Sequence, residues 1–212
     1  MKPSLLTFSF LLLFVFSLAF STLVDEQVVV DTNGNPIFPG GRYYLMPPIF
    51  GAAGGGVKLG HDTESSTCPV AVFQDYSEVV NGLQVKFIIP GISPGIIFTG
   101  TTLNISFVEK PQCVESSIWA IVAGWPAWIG IGGDEDHQES EILTGKFNIQ
   151  KHGLGYKFVF CPTYTIPPGS CYDIVKIDDV NGRRLILPMD DVSAPFEFVL
   201  FDAGDATRNS VV

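Results

Sequence analysis

Beyond residue 21 the chain alternates short apolar runs with turn-forming residues, and no window shows the 3.6-residue apolar recurrence of an amphipathic helix. The strand-like runs are VVVD, RYYLM, VAVFQ, LQVKFII, TLNISFV, SIWAIVA, GKFNIQ, YKFVFC, YDIVKI, RRLILPM and FEFVLFD. Each is rich in Val, Ile, Phe or Tyr, and most end at Gly, Pro, Asn or Asp, which favour turns. TLNISFV and FEFVLFD alternate apolar and polar positions, as a strand buried on one face does. About a dozen short strands with Gly/Pro-rich connections predict an all-β barrel or sandwich.

A weak internal echo favours a barrel built from repeats. DTNGNPIFP (31–39) and DVNGRRLILP (179–188) are both Asp-x-Asn-Gly turns leading into an apolar run. Asn-Gly suits the positive φ angles of a tight hairpin.

The first residues belong to a different pattern. Lys2 precedes the charge-free run LLTFSFLLLFVFSLAF, which ends at the small-residue site Ala19-Phe20-Ser21. Basic head, apolar run and small-residue exit predict a secretory signal peptide over 1–21, leaving one domain over 22–212. A membrane anchor fits less well, because the run barely reaches spanning length and no basic flank follows it. The expectation is a secreted chain, apoplastic or vacuolar, without membrane attachment.

Charge narrows the partners. The chain has 12 basic and 22 acidic residues, a formal −10, and loss of Lys2 with the leader would make it −11. Nucleic acid is an unsuitable partner, since phosphate binding needs clustered Lys and Arg. Four cysteines, Cys68, Cys113, Cys161 and Cys171, would meet an oxidising compartment, where pairing is expected. They allow three connectivities; the sequential one closes one long and one short loop. Zinc is disfavoured, as there is no Cys-x-x-Cys and the three histidines are scattered.

The stretch KFIIPGISPGIIFTG (86–100) is apolar yet broken by Pro90, Gly91, Pro94 and Gly95. A buried strand would not contain two prolines. Proline fixes its own φ and pushes the preceding residue towards extended geometry, so the stretch suits a stiff displayed loop. Ile88, Ile89, Ile96, Ile97 and Phe98 are then strand ends packed into the barrel. Pro90, Gly91, Ile92, Ser93 and Pro94 are left exposed.

The chain resembles the plant Kunitz-type (soybean trypsin inhibitor) family. VVDTNGNPIFPGGRYYL (29–45) is similar to its N-terminal signature through Asp31, Asn33-Gly34-Asn35, Ile37, Tyr43 and Leu45. TCPVAVFQ, YKFVFCP and CYDIVKIDDVNGRRL extend the similarity along the chain in order. The resemblance implies a β-trefoil of twelve strands in three pseudo-repeats, with disulfides Cys68–Cys113 and Cys161–Cys171. It also implies a monomer, needing no cofactor, that binds an endopeptidase through one exposed loop between the strand after Cys68 and TLNISF. Counting from Cys68 puts the primary specificity residue at Ile92; counting back from Phe107 puts it at Ser93.

Two departures qualify what the resemblance implies. Trypsin inhibitors of the family present Arg or Lys to the acid at the base of trypsin's pocket, and this chain has neither between Lys86 and Lys110. A small or apolar pocket, elastase-like or subtilisin-like, suits Ile or Ser better. The family's loop-bracing Asn falls at Pro39, which has no side-chain donor. A non-inhibitory miraculin-like binding, storage or defence protein is therefore the alternative. A lectin-like trefoil is disfavoured because repeated Gln-x-Trp motifs are absent.

Other candidates are weaker. CPTYTIPPGSC (161–171) is a proline-stiffened loop. GIGGDEDHQESE (130–141) places Asp134, Glu135, Asp136 and His137 together, but lacks the calcium-loop pattern, so a solvated turn is expected. Asp178-Asp179 and Asp190-Asp191 sit beside turns and read as surface. No Gly-x-Ser-x-Gly, His-Glu-x-x-His or phosphate loop is present, and nothing local recommends His61, His137 or His152 for catalysis. Asn104-Ile105-Ser106 is a glycosylation sequon inside a strand pattern, usable only if Asn104 faces solvent.

Overall fold

The computed structural model describes residues 26–51, 53–91, 95–137, 140–165, 167–188 and 194–204. The expected leader over 1–21 falls outside them, as does Asp190-Asp191. Every named element is a strand. The first half holds β1 (Tyr43–Met46), β2 (Val57–Gly60), β3 (Ala71–Gln74), β4 (Val85–Ile88), β5 (Asn104–Phe107), β6 (Trp119–Val122) and β7 (Ala127–Ile131). The second holds β8 (Ile142–Leu143), β9 (Gly145–His152), β10 (Gly155–Pro162), β11 (Tyr172–Asp173), β12 (Val175–Asp179), β13 (Gly182–Leu187) and β14 (Glu197–Asp202).

All pairings between these strands are antiparallel. One sheet runs β11-β10-β14-β1-β4-β5, with β9 on β10; the other runs β12-β13-β3-β7-β6-β8, with β2 on β3 and a further β13–β7 pairing. Pairing of β1 with β14, from Tyr43↔Asp202 to Met46↔Val199, joins the two ends of the domain. The strands alternate burial: in β4, Val85 and Phe87 are fully buried while Lys86 and Ile88 are partly exposed. Both sheets feed one core. Phe158 of β10 stacks on Phe198 of β14 at 4.3 Å between centroids, and also meets Phe87 of β4 at 6.2 Å and Trp119 of β6 at 5.8 Å. Such aromatic contacts are worth about 0.5–1.5 kcal/mol each beyond the area they bury.

Three strands escape the sequence pattern. β2, β7 and the two-residue β8 include VKLG and AWIGI, where glycine weakens the strand signal. Packing explains those glycines: a Cβ on Gly60 would lie 2.8 Å from the Phe73 ring, and one on Gly130 would lie 2.9 Å from the Trp128 ring. The run VVVD forms only isolated bridges, Val28↔Phe98 and Val30↔Pro36. Its last residue turns the chain back instead of extending it.

That turn is the structural content of the internal echo. The Asp31 carboxylate accepts hydrogen bonds from the N–H groups of Asn33 and Asn35, both at 2.8 Å. Asp179 accepts from the N–H of Asn181 at 3.2 Å in the β12–β13 turn. Gly34 (φ 83°) and Gly182 (φ 143°) occupy the backbone region that side chains disfavour. Cys68 is bonded to Cys113 across 45 residues of sequence and Cys161 to Cys171 across 10, the sequential pairing.

Candidate functional site

The proline-broken stretch hangs from the β4–β5 pair, whose register closes with Ile88 opposite Asn104. Leaving β4, Ile89 packs partly against the core. Pro90 and Gly91 are exposed, and Gly91 has φ 86°. Ile92, Ser93 and Pro94 lie outside the described residues. The chain re-enters at an exposed Gly95 and a half-buried Ile96, and Ile97 is fully buried. Ile88 and Phe98 are half-buried. Ile88, Ile89, Ile96, Ile97 and Phe98 are therefore roots of the loop, each turned at least partly into the barrel.

Those roots are clamped by the N-terminal segment. Ile97 donates its N–H to the Ile37 carbonyl at 2.9 Å and accepts at its own carbonyl from Val29, also at 2.9 Å. Ile37 in turn donates to the Val29 carbonyl at 2.9 Å. Thr99 donates its N–H to the Gln27 carbonyl at 2.8 Å, while its hydroxyl accepts from Gln27 N–H at 2.9 Å. On the outgoing side, Gly40 donates to the Phe87 carbonyl at 2.9 Å. Pro39 supplies no donor, but its neighbour does, through the main chain and with φ 81° that glycine permits.

The clamp is itself anchored. Val30 N–H donates to the Tyr156 hydroxyl of β10 at 3.0 Å, and Thr32 N–H to the Leu200 carbonyl of β14 at 2.9 Å. Tyr43 joins clamp to loop root: its hydroxyl accepts from Phe38 N–H at 3.1 Å and its ring stacks on Phe87 at 6.0 Å. Burial raises the Tyr43 phenol above its ordinary value. The Phe38 hydrogen bond opposes that shift, and the negative charges of Asp202 and Asp31 add to it.

The sequence pattern pointed to the loop but not to Gly40 or the Tyr43 hydroxyl as its supports. Their only sequence signal was a Gly-Gly pair and a buried-type aromatic following the prolines.

Elsewhere the geometry is structural. In the acidic turn, Asp136 accepts from Gly133 N–H at 2.9 Å and from Glu115 N–H at 3.2 Å. His137 is buried, with Nε2 2.8 Å from the Ile131 carbonyl and its ring edge-on to Trp128. No cluster of three metal-ligating side chains occurs among the described residues. In the short disulfide loop Tyr164 is 88% exposed beside a depression of ≈ 540 Å³ that also touches Glu141, Tyr172 and Pro188.

Comparison with known proteins decides the family. A family profile described as trypsin and protease inhibitor, the legume Kunitz family, matches residues 29–200. This chain belongs to the legume Kunitz family of protease inhibitors. The family consists of inhibitors and not of enzymes. The chain is 50% identical to a Kunitz-type trypsin inhibitor-like 2 protein of Pisum sativum, with 97% of each chain covered. It is 44% identical to the subtilisin inhibitor CLSI-II of Canavalia lineata, covering 84% of this chain and 94% of that one. The crystal structure of a Kunitz type trypsin inhibitor from Cicer arietinum is similar at TM-score 0.76 and 52% identity, covering 84% of this chain and 99% of that one. The two sheets and two disulfides of this Kunitz chain are those of a β-trefoil.

Proposed function

We propose that this Kunitz protein is a secreted inhibitor of a serine endopeptidase other than trypsin, and that residues 90–94 enter the protease cleft in substrate-like form. Ile92 or Ser93 fills the main specificity pocket. The observation that carries this reading is the clamp: Gly40, Val29, Ile37 and Gln27 hold both roots of the loop through main-chain bonds. A loop held before binding loses little conformational entropy on binding, which is the energetic basis of tight, slowly cleaved complexes. The same clamp answers the absent Asn at position 39, the feature that favours a non-inhibitory binding protein.

The apolar loop, with no Arg or Lys between Lys86 and Lys110, matches an apolar or small pocket better than one with an acid at its base. Similarity to a named subtilisin inhibitor supports the same direction. Tests against trypsin-, elastase-, chymotrypsin- and subtilisin-like enzymes should show inhibition of at least one of the latter three and little of trypsin. Inhibition of none, with cysteine and aspartic proteases also unaffected, would return the protein to the miraculin-like reading.

A further inference from the structure

Asn104 opens β5 in the sequence Asn104-Ile105-Ser106, an acceptor for asparagine-linked glycans whose middle residue is not proline. Ile105 and Phe107 are fully buried in the core, so Asn104 and Ser106 project from the opposite face. Ser106 is covered there by Ser117, their hydroxyl oxygens 2.9 Å apart. Asn104 is only partly covered. It is half-buried on the rim of a groove of ≈ 440 Å³, whose walls include Ile118, Thr144, Lys146 and Thr163. Lys146 Nζ approaches the Asn104 Oδ1 to 3.5 Å, which leaves Nδ2 free of that contact.

We propose that Asn104 carries an N-linked glycan whose first N-acetylglucosamine lies in this groove. Ile118, 38% exposed, gives the sugar's apolar face a surface, while Lys146, Thr144 and Thr163 offer donors to its hydroxyl and acetamido oxygens. In the transfer, Asn104 Nδ2 bonds to C1 of the sugar as the bond from C1 to the pyrophosphate oxygen of a lipid-linked oligosaccharide breaks. The amide proton passes to a base of the transferase, and the lipid pyrophosphate leaves with the electron pair. The fold also fixes the timing. Ser106, which carries the sequon hydroxyl, is 2% exposed, and that hydroxyl donates to the Phe107 carbonyl at 3.0 Å, out of an enzyme's reach. Modification therefore precedes the pairing of β4 with β5 inside the loop closed by Cys68 and Cys113. Register places Asn104 opposite Ile88, two residues before Pro90, so the glycan stands on the same face as the root of the protease-binding loop. The inference rests on entry into the secretory pathway, part of the reading above, but not on inhibition.

The test is expression of the full chain in plant cells, with intact mass measured on secreted and retained protein. The expected result is a glycan's added mass, removed by peptide N-glycosidase and lost in Asn104→Gln. Acylation of Lys146 by an amine-reactive ester should be slower in the glycosylated protein than in Asn104→Gln. Protein folded without a glycan should resist a solubilised oligosaccharyltransferase that modifies the reduced, unfolded chain. A secreted chain of bare polypeptide mass overturns the proposal at the sequon; a retained bare chain overturns it at the routing step. Equal acylation of Lys146 removes the sugar from the groove, and ready modification of the folded protein removes the timing.

Discussion

Ile97, the residue on which the loop re-enters the barrel, donates its N–H to the carbonyl of Ile37, 60 positions earlier, at 2.9 Å. Both side chains are fully buried, so the bond sits in the core. An apolar side chain here does two jobs: it buries surface and it fixes where the loop's C-terminal root lies.

Truncation at this point should therefore cost function as well as stability. Ile97→Ala is expected to lose about 2–5 kcal/mol, the usual range for emptying a core isoleucine site. Ile129→Ala, at another fully buried site but on β7, in the sheet that does not contain β4 and β5, serves as the control. Urea unfolding should show comparable losses, whereas the inhibition constant should weaken much more for Ile97→Ala. Equal weakening in both variants would mean that the clamp does not hold the loop for binding.

The Tyr43 hydroxyl makes a second, pH-dependent prediction. Tyr43→Phe leaves the Phe38 N–H without its acceptor and should cost about 1 kcal/mol near neutral pH. Because burial raises the folded-state phenol above the unfolded value near 10, the unfolded chain loses its proton first. The neutral phenol's contribution is fully present below that unfolded value and declines as pH rises through the folded one. The wild-type protein should thus lose stability above about pH 10 more steeply than Tyr43→Phe. Parallel slopes in alkaline denaturation would show that this phenol is not linked to folding.

How much of this was legible beforehand follows from which physics each feature uses. The loop was visible because Pro90, Gly91, Pro94 and Gly95 interrupt apolar runs, a local chemical signal. Most strands were visible for the same reason, since Val85 and Phe87 or Ile105 and Phe107 alternate with residues on the other face. β2 and β7 were not, because Gly60 admits the ring of Phe73 from the neighbouring β3 and Gly130 admits the ring of Trp128 folded back along β7 itself, contacts that exist only once the side chains are packed. The clamp was illegible for a deeper reason. Its bonds join main-chain groups of Val29, Ile37 and Gly40 to Ile97 and Phe87, and main-chain groups carry no residue identity. A pattern search for a bracing side chain finds Pro39 and stops.

The two disulfides should differ in what they support. On the chain-entropy account, the pair separated by 45 residues contributes about 4 kcal/mol and the pair separated by 10 about 2.7 kcal/mol. Cys68 packs against the hydrophobic core, so replacing Cys68 and Cys113 together by Ser adds a packing loss. Cys161 and Cys171 bracket the exposed Tyr164 loop, far along the sequence from residues 90–94. Replacing that second pair should lower the urea midpoint while leaving inhibition at 25 °C unchanged. Loss of inhibition with retained fold would move the binding surface to the Tyr164 loop.

The choice between Ile92 and Ser93 can be made by giving each position the cation it lacks. Trypsin's pocket rewards a positive charge that reaches its acid, and a pocket without that acid penalises the same charge. Arginine at the true specificity position should therefore create trypsin inhibition and abolish inhibition of the apolar-pocket enzyme. Arginine one position away should only weaken the original inhibition, because adjacent side chains of a segment bound in extended, substrate-like form point in opposite directions. Ile92→Arg and Ser93→Arg, assayed side by side against trypsin and a subtilisin-like protease, separate the two registers. If neither variant inhibits trypsin and both keep the parent's potency, residues 90–94 do not enter the cleft at all.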